Sequence, residues 1–255
     1  MTYRRLFARD RLLGTFAVLV VSAACVRLGI WQLDRLAQRR DFNDHVLAAR
    51  AMPPLSLPTA EDLVSQEYRA VRANGTYDFE DQVAVRNQFY NGEYGFHLIT
   101  PLVFGTEAPS GSLGARAVLV DRGWIPAVGN GSASDWRKYD IPPNTAVAGL
   151  LRFAEPAPSF AGLAEPTPSP IDGRTDFWLS IDTDQIGKQV GYPLLSVYIL
   201  KSPEAISSNP PIAVAAIPDL GDGPHLGYAM QWFGFAALFV AGYPLYLRKQ
   251  EGRRR

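Results

Sequence analysis

Three histidines, one cysteine and an adjacent Asp-Arg pair are the residues of this 255-residue chain whose types could do chemistry. His45, His97 and His225 stand far apart, and none belongs to a His-Glu-x-x-His or other close ligand pair, which argues against a zinc site. Cys25 is the sole cysteine, so an intrachain disulfide, a Cys-x-x-Cys copper carrier and a c-type heme attachment are excluded. The chain has no Gly-x-Ser-x-Gly and no Gly-x-Gly-x-x-Gly, and its Gly/Ser loop 128–134 lacks the Gly-Lys-Ser/Thr of a phosphate loop. Asp121 and Arg122 follow an apolar run; they read first as a structural salt bridge or turn and second as a catalytic pair. His225 has the most chemical promise. A neutral imidazole just ahead of an apolar segment can be an axial ligand to heme iron, and Trp31 and Trp232 fall at a depth where they could flank a flat macrocycle. The plainer alternative is a histidine that hydrogen-bonds a helix end or anchors at an interface. His97 reads as a satisfied structural histidine beside a strand, and His45 as exposed.

Two apolar runs must position these residues. From Leu226 to Leu247 there is no charged side chain, enough helix to cross a bilayer core of about 30 Å. Leu12 to Leu33 spans about 33 Å as helix, interrupted only by Arg27, which can snorkel to the headgroups, while Trp31 suits the interface. A cleaved signal peptide is the rival reading of the first run, but the run continues past Cys25, so a retained anchor is expected. In the second run Tyr228, Trp232, Phe235, Phe239 and Tyr243 form an aromatic ridge. Gly227, Gly234, Ala237 and Ala241 are expected to admit a neighbouring helix. Gln231 is costly against lipid and is expected to face a helix or a buried pocket.

The formal net charge of zero conceals an asymmetry. Ten of the 25 basic residues lie outside 34–224, where only Asp10 and Glu251 oppose them; the middle keeps 15 basic and 23 acidic residues. Basic flanks favour the cytoplasmic side, so both termini are expected inside a bacterial plasma membrane and the acidic domain outside. Nucleic acid is not an expected partner of an acidic domain. The expected organisation is a basic tail 1–11, a first transmembrane helix 12–33, an external β-rich domain 34–224, a second transmembrane helix 225–247 and a basic tail 248–255.

Within the middle segment, a polar helix is expected to continue to Ala51, with a weak apolar stripe of Leu36, Phe42, Val46 and Leu47. Strand signals follow over 68–73, closed by an Asn74-Gly75 hairpin turn, then over 82–87 with a turn at Asn91-Gly92, and over 95–104 with a bend at Pro101. Residues 115–120 form the most apolar candidate, ending in Asp121-Arg122-Gly123-Trp124. Strands over 145–153, 177–182 and 195–200 complete the set, with a short helix over 184–190. Pro/Ser-rich 154–174 reads as a surface excursion and 202–223 as an extended return. The fold class expected is a membrane protein: two transmembrane α-helices flanking a mostly antiparallel β domain, barrel- or sandwich-like, with minor helix.

Four patches resemble the Surfeit-locus (Surf/Shy) family of cytochrome c oxidase assembly factors. They are Leu-Gly-Ile-Trp-Gln-Leu-Asp-Arg-Leu at 28–36, Gly-Phe-His-Leu-Ile-Thr-Pro-Leu at 95–102, Val-Asp-Arg-Gly-Trp-Ile-Pro at 120–126, and His-Leu-Gly-Tyr-Ala-Met-Gln-Trp-Phe at 225–233. Their order and spacing span nearly the whole chain. The resemblance implies a non-enzymatic role in building the heme-copper oxidase: assisting heme a insertion into its heme-bearing subunit, or stabilising that subunit. It implies transient heme a as cofactor, with His225 matching the family histidine proposed to bind it. Trp31, Gln231 and Trp232 are the other candidate heme contacts. Expected partners are the heme-bearing oxidase subunit, the lipid bilayer and heme a synthase. Two other readings stand beside this one: a membrane scaffold that holds an oxidase subunit without touching heme, and a membrane-anchored envelope enzyme using Asp121 and Arg122.

Overall fold

A computed structural model of the protein describes residues 11–59, 62–105, 117–154, 173–203, 209–214 and 219–253. The N-terminal tail up to Asp10, the loop ahead of Gly114 and most of the Pro/Ser-rich excursion lie outside the described residues. The chain divides into two compact units: the chain up to His45 with that from Asp219 onward, and Val46–Pro218.

The first unit is built from α1 (Leu12–Ala51), whose last turns enter the second unit, and α3 (His225–Gly252). Both are long and apolar enough to cross a membrane. The expected polar continuation to Ala51 is one unbroken helix with the apolar run. Of its predicted stripe, Leu36 and Val46 are buried and Leu47 is exposed. The covered seam positions of α1 are Thr15, Val18, Ser22, Cys25, Gly29, Gln32, Leu36, Arg39 and Asn43. They recur at three- and four-residue steps, the repeat of a left-handed helix seam. α3 answers with His225, Ala229, Phe233, Ala236, Tyr243 and Leu247.

The pair runs antiparallel: Gln32 meets His225, Gly29 meets Phe233, and Thr15 Oγ1 lies 3.4 Å from the Tyr243 hydroxyl. A Cβ at Gly29 would sit 2.6 Å from the Phe233 ring, so glycine is what lets the ring pack this close to α1. The small residues of α3 expected to admit a neighbouring helix are not the ones that meet α1. Gly227 and Gly234 face open space, and Ala237 and Ala241 are exposed. The close approach is made by Gly14 and Gly29 of α1 and by Ala229 and Ala236 of α3. Gln231 is exposed for the same reason: two residues beyond Ala229, it is rotated roughly 200° from the seam. Of the aromatic ridge, Tyr228, Phe235 and Phe239 are exposed, while Trp232 and Tyr243 are half-buried.

In the second unit the strands are β1 (Leu55–Leu57), β2 (Ala70–Tyr77), β3 (Val83–Tyr90), β4 (Glu93–Val103), β5 (Ala117–Pro126), β6 (Asn144–Phe153), β7 (Phe177–Trp178) and β8 (Leu194–Lys201). They follow the order β1-β2-β6-β8-β5-β4-β3-β7, and β2 also pairs with β4, which closes a five-stranded barrel β2-β6-β8-β5-β4. Five of the eight pairings are antiparallel; β1–β2, β3–β7 and β5–β8 are parallel. The barrel is filled by alternate side chains, among them Val71, Leu102, Val118, Val120, Leu151 and Ile199. The other face of the β3-β4-β5 wall carries Val83, Ile99 and Leu119, covered by α2 (Thr183–Val190) through Ile186 and Val190. Asp182 caps α2 by accepting from the backbone of Asp184 and Gln185, and Gly191 ends it in the left-handed conformation.

Turn signals resolve unequally. Asn91-Gly92 makes the β3–β4 hairpin with positive φ at both residues. Asn74-Gly75, expected to be a turn, lies inside β2 in register with Ala146 and Thr145 of β6. A Cβ at Gly75 would meet the Val103 carbonyl at 2.4 Å, so this glycine serves the close crossing of β2 and β4 that shuts the barrel. Strand β4 keeps its pairing with β5 through Pro101. The proline's missing N–H falls between the last β3 partner of β4, Ile99, and the first β2 partner, Leu102. The expected strand over 177–182 shrinks to Phe177–Trp178, because the chain turns away to reach the α2 cap.

Candidate functional site

His225 opens α3, and its position is set from α1. Arg39 donates to the carbonyls of Asp219 and Gly221. Arg40 clasps the Asp222 carboxylate at 2.7 and 3.0 Å, and Asn43 Nδ2 donates to the Leu220 carbonyl at 2.8 Å. These contacts fix segment 219–222 along the polar stretch of α1. Gly223 then turns the chain with φ +68°, a conformation suited to glycine, and Pro224 accepts the first α3 backbone bond from Tyr228. Nothing in the composition of 34–44 signals this clasp; Arg39, Arg40 and Asn43 read as an ordinary solvated helix face.

The ring of His225 is half-buried, with Nδ1 2.9 Å from Gln32 Oε1. An amide oxygen only accepts, so Nδ1 is the donor, and in the neutral imidazole Nε2 carries the lone pair. Gly223 lies alongside: a Cβ there would come within 3.5 Å of Nε2. An imidazole with one nitrogen held by a neighbour and the other bare is the donor an axial iron ligand requires, so these residues fit a heme. Trp31 adjoins Gln32 and is 43% exposed, its ring carrying the Arg35 guanidinium at 5.7 Å. Trp232 is half-buried and meets Phe235 edge-on, with centroids 5.9 Å apart. With Gly29 against Phe233, the two tryptophans fall within about one helical turn of each other along the pair. Gln231 is not brought to this cluster. Gln32, which no motif for chemistry singles out, is.

The Asp121-Arg122 pair does not exist as a unit. Both residues lie within β5, which continues to Pro126, and they point to opposite faces. Two residues of β4, His97 and Ile99, oppose Trp124 and Asp121, so β5 bulges at Arg122 and Gly123. Gly123 adopts φ +120° there, and a Cβ on it would lie 2.3 Å from the Ile212 carbonyl. The bulge turns Asp121 to His97, whose Nδ1 lies 2.7 Å from Oδ2, while Oδ1 accepts from the Gly123 backbone. Burial opposes protonation of His97, but the charge and hydrogen bond of Asp121 outweigh it and hold the imidazole above its ordinary value. Arg122 goes the other way. It is buried, it donates to the Tyr139 carbonyl, and it lies against the rings of Tyr77 and Phe79 at 5.4 and 5.1 Å. Burial lowers its affinity for its proton.

The chain is thus of the class in which a β-barrel domain is inserted in the sequence between two apolar helices that pair antiparallel. It belongs to the SURF1 family, whose profile matches residues 19–237. An uncharacterized SURF1-like protein of Mycobacterium bovis is 30% identical over 238 residues, covering 89% of this chain and 80% of that one. A SURF1-like protein of Rickettsia conorii is 24% identical over 241 residues, covering 92% and 91%, and one of Monosiga brevicollis is 23% identical over 255, covering 94% and 89%. The family is known generally as one of oxidase assembly factors, which are not enzymes.

Proposed function

We propose that this protein is a plasma-membrane assembly factor that presents heme a to the heme-bearing subunit of cytochrome c oxidase. The observation that carries this is the Gln32–His225 pair. It joins two of the four family patches, and it holds Nδ1 so that Nε2 can ligate iron. When bound, heme a would supply an open coordination position for that nitrogen. Everything else falls to the chain. Gln32 fixes the tautomer, Gly223 keeps the Nε2 side clear, Trp31 and Trp232 offer flanking rings, and the Arg39–Arg40–Asn43 clasp sets the register. Antiparallel helices bring both basic flanks to one end, consistent with cytoplasmic termini and an outer barrel domain. Heme a synthase is the natural upstream partner.

The test is spectroscopic. The full chain is purified from membranes of cells that make heme a, as wild type and as His225→Ala. Stoichiometric heme a in the wild type, lost in the variant with the helical content unchanged, is the expected result. Absence of heme from both proteins overturns the reading.

A second reading is favoured by a separate observation. Gly227 and Gly234 face open space on the side of α3 away from α1, with Gln231 between them. Small residues flanking an amide suit docking of a partner helix. Under this scaffold reading Gly234→Leu lowers oxidase assembly while His225→Ala spares it.

A further inference from the structure

We infer that the β domain carries a second ligand site, for a small carboxylate with an apolar body, in the cavity between the barrel wall and segment 179–181. The cavity holds about 340 Å³. That is the lower end of the range of small-molecule sites, roughly 300–1,000 Å³, and too small for a heme macrocycle. This inference is therefore independent of the reading of His225.

Its floor is a patch of side chains on one face of five neighbouring strands. Register places Val85 of β3 opposite His97 of β4, Ile99 of β4 opposite Asp121 of β5, Asp121 opposite Leu200 of β8, and Tyr198 of β8 opposite Arg152 of β6. Both strands that flank β4 are irregular at this level: β5 at its Gly123 bulge and β3 between Val85 and Gln88, where Asn87 has φ +63°. Paired bulges re-aim side chains, and proteins concentrate them beside functional sites.

The polar groups that line the cavity are mostly donors. Among the described residues of the lining Asp121 is the one carboxylate, and it is committed through both oxygens, to His97 and to the Gly123 backbone. It therefore serves the histidine rather than a ligand. His97 gives Nδ1 to Asp121, which leaves Nε2 for the cavity. Arg152 gives Nε to Glu67 at 3.0 Å, so its terminal nitrogens are not committed to that carboxylate. The Tyr198 phenol is pushed up to about 12, chiefly by burial, and keeps its proton as a donor. Imidazolium, guanidinium and phenol are the set that grips a carboxylate. Gln88 and Ser180 add two neutral polar side chains; the rest of the described wall is apolar, chiefly Ile99, Phe153, Leu179, Ile181 and Leu200, and suits a short hydrocarbon body.

The chain has three histidines, so nitrogen-15 histidine labelling resolves the site directly. The full chain in nanodiscs is titrated with 4-methylpentanoate, and with 4-methylpentanol as the neutral control. The His97 signal is assigned by His97→Gln. The acid is expected to shift the His97 signal saturably and leave those of His45 and His225 in place; the alcohol is expected to shift none. The groups facing His97 are Asp121, Tyr198 and Arg152, the last joined to Glu67. Of these four residues and His97, it is the histidine that changes charge near neutrality. Affinity should therefore fall about tenfold per pH unit above the His97 titration point. Tyr198→Phe and, separately, Arg152→Lys should each weaken binding at least tenfold. An absent or non-saturating shift, an equal response to the alcohol, or movement of His225 in place of His97 overturns the inference.

Discussion

Enlarging Gly29 tests whether the α1–α3 seam sets the geometry of His225. A Cβ at this position would lie 2.6, 2.7 and 2.9 Å from three atoms of the Phe233 ring. All three distances are below ordinary contact, and the obstacle is an aromatic ring on the facing helix. Gly29→Leu must therefore push Phe233 aside or open the seam. Overpacking of this kind costs about 1–3 kcal/mol, which shifts the closed–open equilibrium of the helix pair by roughly 5- to 150-fold. Cys25 is a built-in reporter: it is the sole cysteine, lies one turn from Gly29 on the same seam, and is 5% exposed. In detergent micelles its labelling by a maleimide should accelerate by that factor in Gly29→Leu. Phe233→Ala removes the obstacle, so the double variant Gly29→Leu/Phe233→Ala should recover most of the protection. Loss of heme should follow the same order if Gln32–His225 depends on the seam. Unchanged Cys25 labelling in Gly29→Leu, or a double variant no better than the single, would refute the packing argument.

Other consequences follow from the same structure. Gln32→Ala frees the His225 tautomer and should lower heme affinity about 10- to 100-fold, the usual effect of losing a ligand's orienting partner; Gln32→Glu, which restores an acceptor, should recover much of it in the same spectral titration. Gly75→Val drives a side chain into the Val103 carbonyl at the barrel seam, and should lower the melting temperature of the β domain followed by tryptophan fluorescence, whereas Gly92→Asn in the open hairpin turn should not. His97 titrates above its ordinary value of 6.5 in the folded protein, so its pairing with Asp121 adds stability below pH 6.5 that is lost as pH rises through the folded value. Wild-type stability should therefore slope downward above pH 6.5, and Asp121→Asn should flatten that slope; a slope of opposite sign would exclude the assignment.

What could be read from the chain is what local pattern controls. The two apolar runs, the polar continuation to Ala51, the Asn91-Gly92 turn and the α2 helix are each specified by neighbouring residues, and each is present. Gly75 and Gly123 were opaque because their reasons are long-range, a carbonyl of β4 and a carbonyl at Ile212. The helix seam was misassigned because small residues occur on two faces of α3, and only the partner helix decides which is covered. His225 stood out as a lone histidine before an apolar run. Gln32 did not, since an amide acquires a role only through the group opposite it. The same applies to His97 and Asp121, joined by a bulge that no sequence period announces.

The parallel pairing of β5 with β8 governs how this domain can be made. β3, β4 and β5 are consecutive antiparallel strands that can pair before the rest of the domain is made. One edge of β5 then waits for β8, which is encoded after β6, β7 and α2. At about 5–20 residues per second that wait lasts several seconds. During it this apolar strand shows an unpaired edge, and β8 must enter between β5 and β6 to end the exposure. Ordering of the barrel is thus a late, all-at-once event in synthesis, and α3 follows immediately behind it.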